Sequence, residues 1–174
     1  MRRNLFFYES LMFFVSNALL FILHDAYEET NIYILSFISA INESVYEHLK
    51  ITFFALFLVY VVEYFLIGKL YDNYCYSRFV ALLIAPLIVM VGYYTYSGIL
   101  GYHVLWLDIL IGIIAIFIAQ TIAYKILNNN IKSKLSNQLW FIIILILVII
   151  FSLFTYNPPK IDLFKDNQTG QYGI

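Results

Sequence analysis

Two stretches of this chain, Phe79–Tyr102 and Leu135–Pro159, contain no charged residue. A helix needs about 20 mostly apolar residues to cross the ~30 Å hydrocarbon layer of a membrane, and each stretch is long enough. Within a bilayer the backbone must satisfy its own hydrogen bonds, which a helix does. Three further apolar stretches, 5–23, 48–68 and 104–124, qualify only by carrying an ionisable group inward: Glu9, Glu63 and Asp108. A soluble domain carries about a quarter charged residues. Here 12% are charged and 63% hydrophobic, too thin a polar shell for a water-soluble globule. The fold expected is an all-α polytopic transmembrane helical bundle. Its five spans lie at about 5–23, 48–68, 79–101, 104–124 and 138–156, with a tail over 158–174.

Residues 30–42 are also uncharged, but as a helix they reach only ~20 Å. That length fits a re-entrant or interfacial segment between spans one and two. The basic residues agree with five crossings. Arg2, Arg3, Lys69, Arg78, Lys125, Lys132 and Lys134 then fall on one side, and Lys50, Lys160 and Lys165 on the other. The positive-inside rule places the first group in the cytoplasm, giving a multi-pass protein of the cell membrane, N-terminus inside and C-terminus outside. The Met-Arg-Arg start superficially resembles a signal peptide, but Glu9 interrupts its apolar run, so an uncleaved first span is expected. A net charge of −1 offers no cationic surface for nucleic acid. The lone Cys75 rules out an internal disulfide. Membrane lipids, a second copy of the chain or another membrane protein are the partners to expect.

This topology gathers His24, Asp25, Glu28, Glu29, Glu43, Glu47, His48, His103 and Asp108 near the outer face. Residues four apart share a helix face, so His24 aligns with Glu28, and Glu43 with Glu47. Asp108 sits above a small-residue stripe, Gly112, Ala115 and Ala119, that lets a neighbouring helix approach closely. His24, Glu43, Glu47, His48 and Asp108 together form a mixed nitrogen and oxygen ligand set suited to zinc, manganese or iron. A metal held there lowers the pKa of bound water, and a remaining carboxylate among Glu43, Glu47 and Asp108 serves as general base. A plainer account is also open. Ser44-x-x-Glu47 is a capping box, Glu47 and Lys50 are spaced to pair on the helix surface, and exterior carboxylates need no special role. No HExxH, CxxC or GxSxG motif occurs.

Deeper in the spans lie Glu9, Asn17, Glu63 and Gln120. With Arg78 read as a loop residue, no cation within the spans pairs with Glu63. It must then be protonated, hydrogen-bonded to a Tyr or Gln, or exposed to a water-filled cavity, unless Glu9 and Glu63 snorkel to the inner headgroups. The tail has two stop signals, Pro158 and Pro159, yet Leu163, Phe164 and Tyr172 are too apolar for a free end, so it is expected to fold back.

The block Asn42-Glu-Ser-Val-Tyr-Glu-His-Leu-Lys50 is distinctive. With it go Glu63-Tyr64, the run Tyr94-Thr-Tyr-Ser-Gly-Ile-Leu-Gly101, Asp108-Ile109, and a tail from Pro158-Pro159 to Tyr172-Gly173. In these motifs the chain resembles a prokaryotic family of small integral membrane proteins classed as a domain of unknown function. Tyr46 stands where a Trp is expected and Asn167 where a Pro is expected. The resemblance implies a multi-span bundle and directs attention to Glu43, Glu47, His48 and Asp108, but implies no activity. Three functions follow from the residues. The first is a metal-dependent hydrolase acting on lipid or peptide at the outer leaflet. The second is a small ion- or proton-coupled transporter or channel using Glu9, Asn17, Glu63 and Gln120. The third is a non-catalytic accessory subunit.

Overall fold

The computed structural model describes residues 5–173; Arg2 and Arg3, which count toward the charge asymmetry, lie outside the described residues. Five helices follow one another: α1 (Leu5–Thr30), α2 (Val45–Leu66), α3 (Tyr74–Leu100), α4 (Leu105–Asn128) and α5 (Asn137–Tyr156). Each is long and apolar enough to span a membrane. Short 3-10 turns occupy Tyr33–Phe37, Gly68–Leu70 and Asp162–Phe164. Among the described residues there is no strand, only an isolated antiparallel bridge between Lys165 and Tyr172. The helices alternate in direction. The end of the bundle that carries the C-terminal segment is called here the tail end, and the opposite one the loop end.

The helix limits have local causes. α1 stops where Asn31 takes a left-handed backbone (φ 53°) and its N–H caps Tyr27 O at 2.8 Å. α2 starts at Ser44, whose hydroxyl accepts the Glu47 N–H at 3.3 Å. α3 ends at Gly101 (φ 80°), a conformation that favours glycine. Pro86 lies inside α3, which continues through it.

α2 is the central helix, buried along nearly its whole length, whereas α5 buries only Ile144 and Thr155. The outward faces carry Phe6, Phe65, Leu87, Phe117, Ile142 and Ile149, an apolar perimeter that suits lipid rather than water. α4 turns Ala115, Ala119 and Ala123 inward with no exposed surface. Gly92 of α3 lies so close to α4 that an added Cβ would come within 2.9 Å of Ile111.

Two buried charge groups tie the helices together. At the tail end, Lys50 and Glu47 are 0% and 2% exposed and their charges meet at 2.5 Å. The Lys50 ammonium has three protons. Besides Glu47 it donates to Ser36 O (2.9 Å) and Thr155 Oγ1 (2.7 Å). Glu47 in turn accepts from Ile41 N–H (3.1 Å) and the Thr155 hydroxyl (3.1 Å). The pairing expected from spacing is therefore present, but in the interior, where it joins α2, α5 and the 31–44 segment. Glu47 takes only half of a capping box: its side chain turns to Ile41 rather than back to the Ser44 N–H.

At the loop end the expectation that no cation pairs with Glu63 is corrected, while a hydrogen bond from a tyrosine is present as expected. α3 begins at Tyr74, so Arg78 is a helical residue, 1% exposed and bonded to carboxylates from two helices. Its Nη2 lies 2.6 Å from Glu9 Oε1 and 2.7 Å from Glu63 Oε2. Glu9 and Glu63 are buried, so neither snorkels. Gln120 Nε2 donates to Glu9 Oε2 at 3.2 Å, and Tyr74 OH to Glu63 Oε2 at 2.9 Å. Asn17 takes no part in this cluster; its amide donates to Phe13 O within α1.

Removing one partner of a buried ion pair strands the other charge, at about 3–5 kcal/mol. Lys50→Met is thus expected to destabilise the protein by about that amount in thermal unfolding in detergent. Lys50→Met with Glu47→Gln should recover most of the loss. Equal losses in the single and double variants would show that the pair is not what holds this end together.

Candidate metal site at the tail end

Three side chains from separate segments converge at the tail end: His24 from the last turns of α1, Glu43 from the connection before α2, and His48 from the first turn of α2. One ligand atom from each lies within 4.8 Å of the others. His24 Nε2 is 3.7 Å from Glu43 Oε1, and His48 Nε2 is 3.5 Å from Glu43 Oε2. All three side chains are about one-third exposed, at 33%, 34% and 28%.

The far nitrogen of each imidazole is already engaged. His48 Nδ1 is 2.9 Å from Ser44 O, and a carbonyl only accepts, so Nδ1 carries the hydrogen in neutral His48. His24 Nδ1 is 2.5 Å from Asp25 Oδ1, an acceptor when ionised. In both rings the neutral tautomer that satisfies Nδ1 leaves a lone pair on Nε2, and both Nε2 atoms face Glu43. Partners of this kind commonly orient a metal-ligating histidine.

Glu43 is held by its backbone rather than by its carboxylate. Its N–H donates to Asp166 Oδ1 (3.2 Å) and its C=O accepts from Asn167 Nδ2 (2.9 Å). Both partners come from the tail, which folds back and buries Phe164 against the Tyr46 ring at 4.4 Å between centroids. Asn167 also donates to Tyr93 OH at 3.1 Å, joining the tail to α3. Asp166 is a four-donor acceptor: besides Glu43 N–H it takes Gln168 N–H, Thr169 N–H and the Thr169 hydroxyl.

The other expected ligands lie apart from this group. Glu47 is on the opposite side of the α2 start, engaged by Lys50, Thr155 and Ile41. Asp108 accepts the Tyr96 hydroxyl and sits 3.8 Å from the exposed His103. It shares with His24 and His48 a cavity of about 290 Å³ between α1, α2, α3 and α4. Asp25, Thr52 and Tyr93 also line the cavity, and Leu20, Val45, Val89 and Ile111 are among its apolar walls. Sequence reading missed the Asp25 and Ser44 contacts that orient the histidines, and the grip of the tail on Glu43. The adjacency His24-Asp25 and the i, i+4 spacing Ser44–His48 were the available signals.

The tail contact depends on pH. Burial alone would raise the Asp166 carboxyl, but the Thr169, Gln168 and Glu43 donors outweigh it and hold it below the usual range. A carboxyl lowered by folding contributes its full stabilisation above its unfolded value of about 3.9 and loses it as pH falls through the folded value. The amide resonances of Glu43 and Thr169 are therefore expected to stay constant from neutral pH to about 4 and to shift together below it. Asp166→Asn should abolish that shared transition. Independent shifts of the two amides would show that Asp166 does not join them.

Residues 3–174 match a family described as "Family of unknown function (DUF6512)", and the chain belongs to that family. No curated protein and no solved structure matches it.

Proposed function

We propose that this member of a family of unknown function is a multi-pass membrane protein that binds one divalent metal ion through His24, Glu43 and His48. In this reading it is a metal-dependent hydrolase acting on a lipid at the membrane surface. The observation that carries the reading is the convergence of two Nε2 lone pairs on one carboxylate, with each Nδ1 already engaged. Two imidazoles and a carboxylate suit zinc with an open position for water, and also iron or manganese. Such an ion lowers the pKa of bound water and polarises a carbonyl or phosphoryl oxygen. Asp108, which lines the same cavity, is the general base in this reading, and the apolar walls suit an acyl chain.

The charge distribution supports an external site. Lys50 and Arg78 are buried and paired, so they do not belong in the topological count. Among the described residues, what remains is Lys69, Lys125, Lys132 and Lys134 toward the loop end against Lys160 and Lys165 at the tail end. A transporter reading draws less support. The two polar clusters are about 24 Å apart along α2. Between them Phe53, Phe54, Leu56, Leu82 and Ile116 have at most 1% exposure, and the loop-end carboxylates are bound to Arg78.

Elemental analysis and zinc titration of detergent-purified protein test the reading. Near-stoichiometric metal is expected in the wild type and in His103→Ala, with loss in His24→Ala and His48→Ala. Asp25→Asn should weaken binding by about 10–100-fold through the orientation of His24. Absence of zinc binding, or binding unchanged in both histidine variants, would overturn the site. Metal binding without release of fatty acid or headgroup from lipid vesicles would overturn the hydrolase reading alone.

A further inference from the structure

The loop-end cluster has an unequal charge count. Arg78 brings one positive charge, and a guanidinium does not deprotonate in proteins. Glu9 and Glu63 bring two carboxyl groups, and their nearest oxygens both bind the same Nη2, at 2.6 and 2.7 Å. Among the described residues, the remaining groups around them are neutral on every packed element. They are Tyr60 on α2, Tyr74 and Cys75 on α3, Gln120 on α4, and Asn137 and Gln138 on α5. The Tyr60 and Tyr74 rings lie over the guanidinium at 4.6 and 4.7 Å, which serves a cation but not an additional anion. With both carboxyls ionised, the cluster would hold a net negative charge among helices that are apolar toward their surroundings. Such a charge is expensive at membrane depth unless it is neutralised.

The hydrogen bonds indicate where neutralisation occurs. Glu9 has both oxygens occupied: Oε1 by Arg78, Oε2 by Arg78 Nη1 (3.3 Å) and Gln120 (3.2 Å). Glu63 uses only Oε2, toward Arg78 and Tyr74; its Oε1 is buried without a partner, on a residue with 0% exposure. An ionised oxygen left so is costly, whereas a proton on it removes the charge and leaves only a neutral hydroxyl without a partner. A metal cation does not fit, because it requires several oxygen ligands and the cluster has one free oxygen.

We infer that the Glu9–Arg78–Glu63 cluster is a proton-binding site, holding one proton per chain on the Glu63 carboxyl between α1, α2, α3 and α4. The ligand is a proton taken directly from water, with no other reactant. This site is separate from the metal site, at the opposite end of the bundle, and stands whether or not that site binds metal.

Infrared spectroscopy of the full-length protein in lipid nanodiscs at neutral pH, with 13C-carboxyl glutamate, tests this. One protonated-glutamate C=O band is expected in the wild type, shifting in D2O and with the 13C label. Glu63→Gln and Glu9→Gln should each lose it, since either leaves one carboxylate to one guanidinium. If a Gln variant fails to fold, Glu63→Asp should keep a protonated band that no longer shifts with the glutamate label. No such band in the wild type, or a band that survives either Gln substitution, would overturn the proposal. A glutamate-labelled band that persists in Glu63→Asp would overturn its assignment to Glu63.

Discussion

A charge placed at membrane depth needs a partner, and that requirement organises this bundle. Lys50 would strand one charge in α2, and Glu47 supplies the opposite one; Thr155 of α5 and Ser36 of the 31–44 segment complete the ammonium's bonds. At the other end Arg78 of α3 draws in Glu9 of α1 and Glu63 of α2, with Gln120 of α4 bonded to Glu9. The two groups involve all five helices. Apolar packing between helices gains little where the surroundings are as apolar as the side chains, so interior polar contacts and close approaches such as Gly92 to Ile111 carry more of the specificity.

Structural charges differ from available ones in how fully they are bonded. Glu47, Lys50, Glu9 and Arg78 are occupied in every direction that the fold offers, apart from the Arg78 Nε. His24, Glu43 and His48 differ: each offers one ligand atom within 4.8 Å of the others, and both histidines line a cavity with largely apolar walls. Their orientation depends on Asp25, Ser44 and the tail residues Asp166 and Asn167. The tail therefore acts as a strap on the segment that presents Glu43.

Much of the architecture was legible in the sequence, because five apolar runs of sufficient length leave few other folds. The inward face of α4 was legible too, from Gly112, Ala115 and Ala119. Arg78 was not, because the uncharged run begins at Phe79 and the helix begins at Tyr74. The partnerless carboxylates Glu9 and Glu63 were the signal that a cation had to be brought inward. The spacing of Glu47 and Lys50 predicted a pair but could not report its depth, which depends on Ser36 and Thr155, far away in the chain. Likewise the i, i+4 face of Glu43 and Glu47 suggested that they act together, yet Glu43 precedes the helix and the two diverge. His24, Glu43 and His48 were all in the ligand set expected from the sequence; the tertiary fold brings these three together and leaves Glu47 and Asp108 apart.

X-ray absorption at the zinc edge, on the zinc-loaded protein in lipid nanodiscs, tests the account most directly. It predicts two imidazole nitrogens with oxygen donors and no sulfur, a signature lost when His24 and His48 are both replaced by Ala. Sulfur in the shell, placing the ion at Cys75, or a spectrum unchanged in that double variant would contradict it.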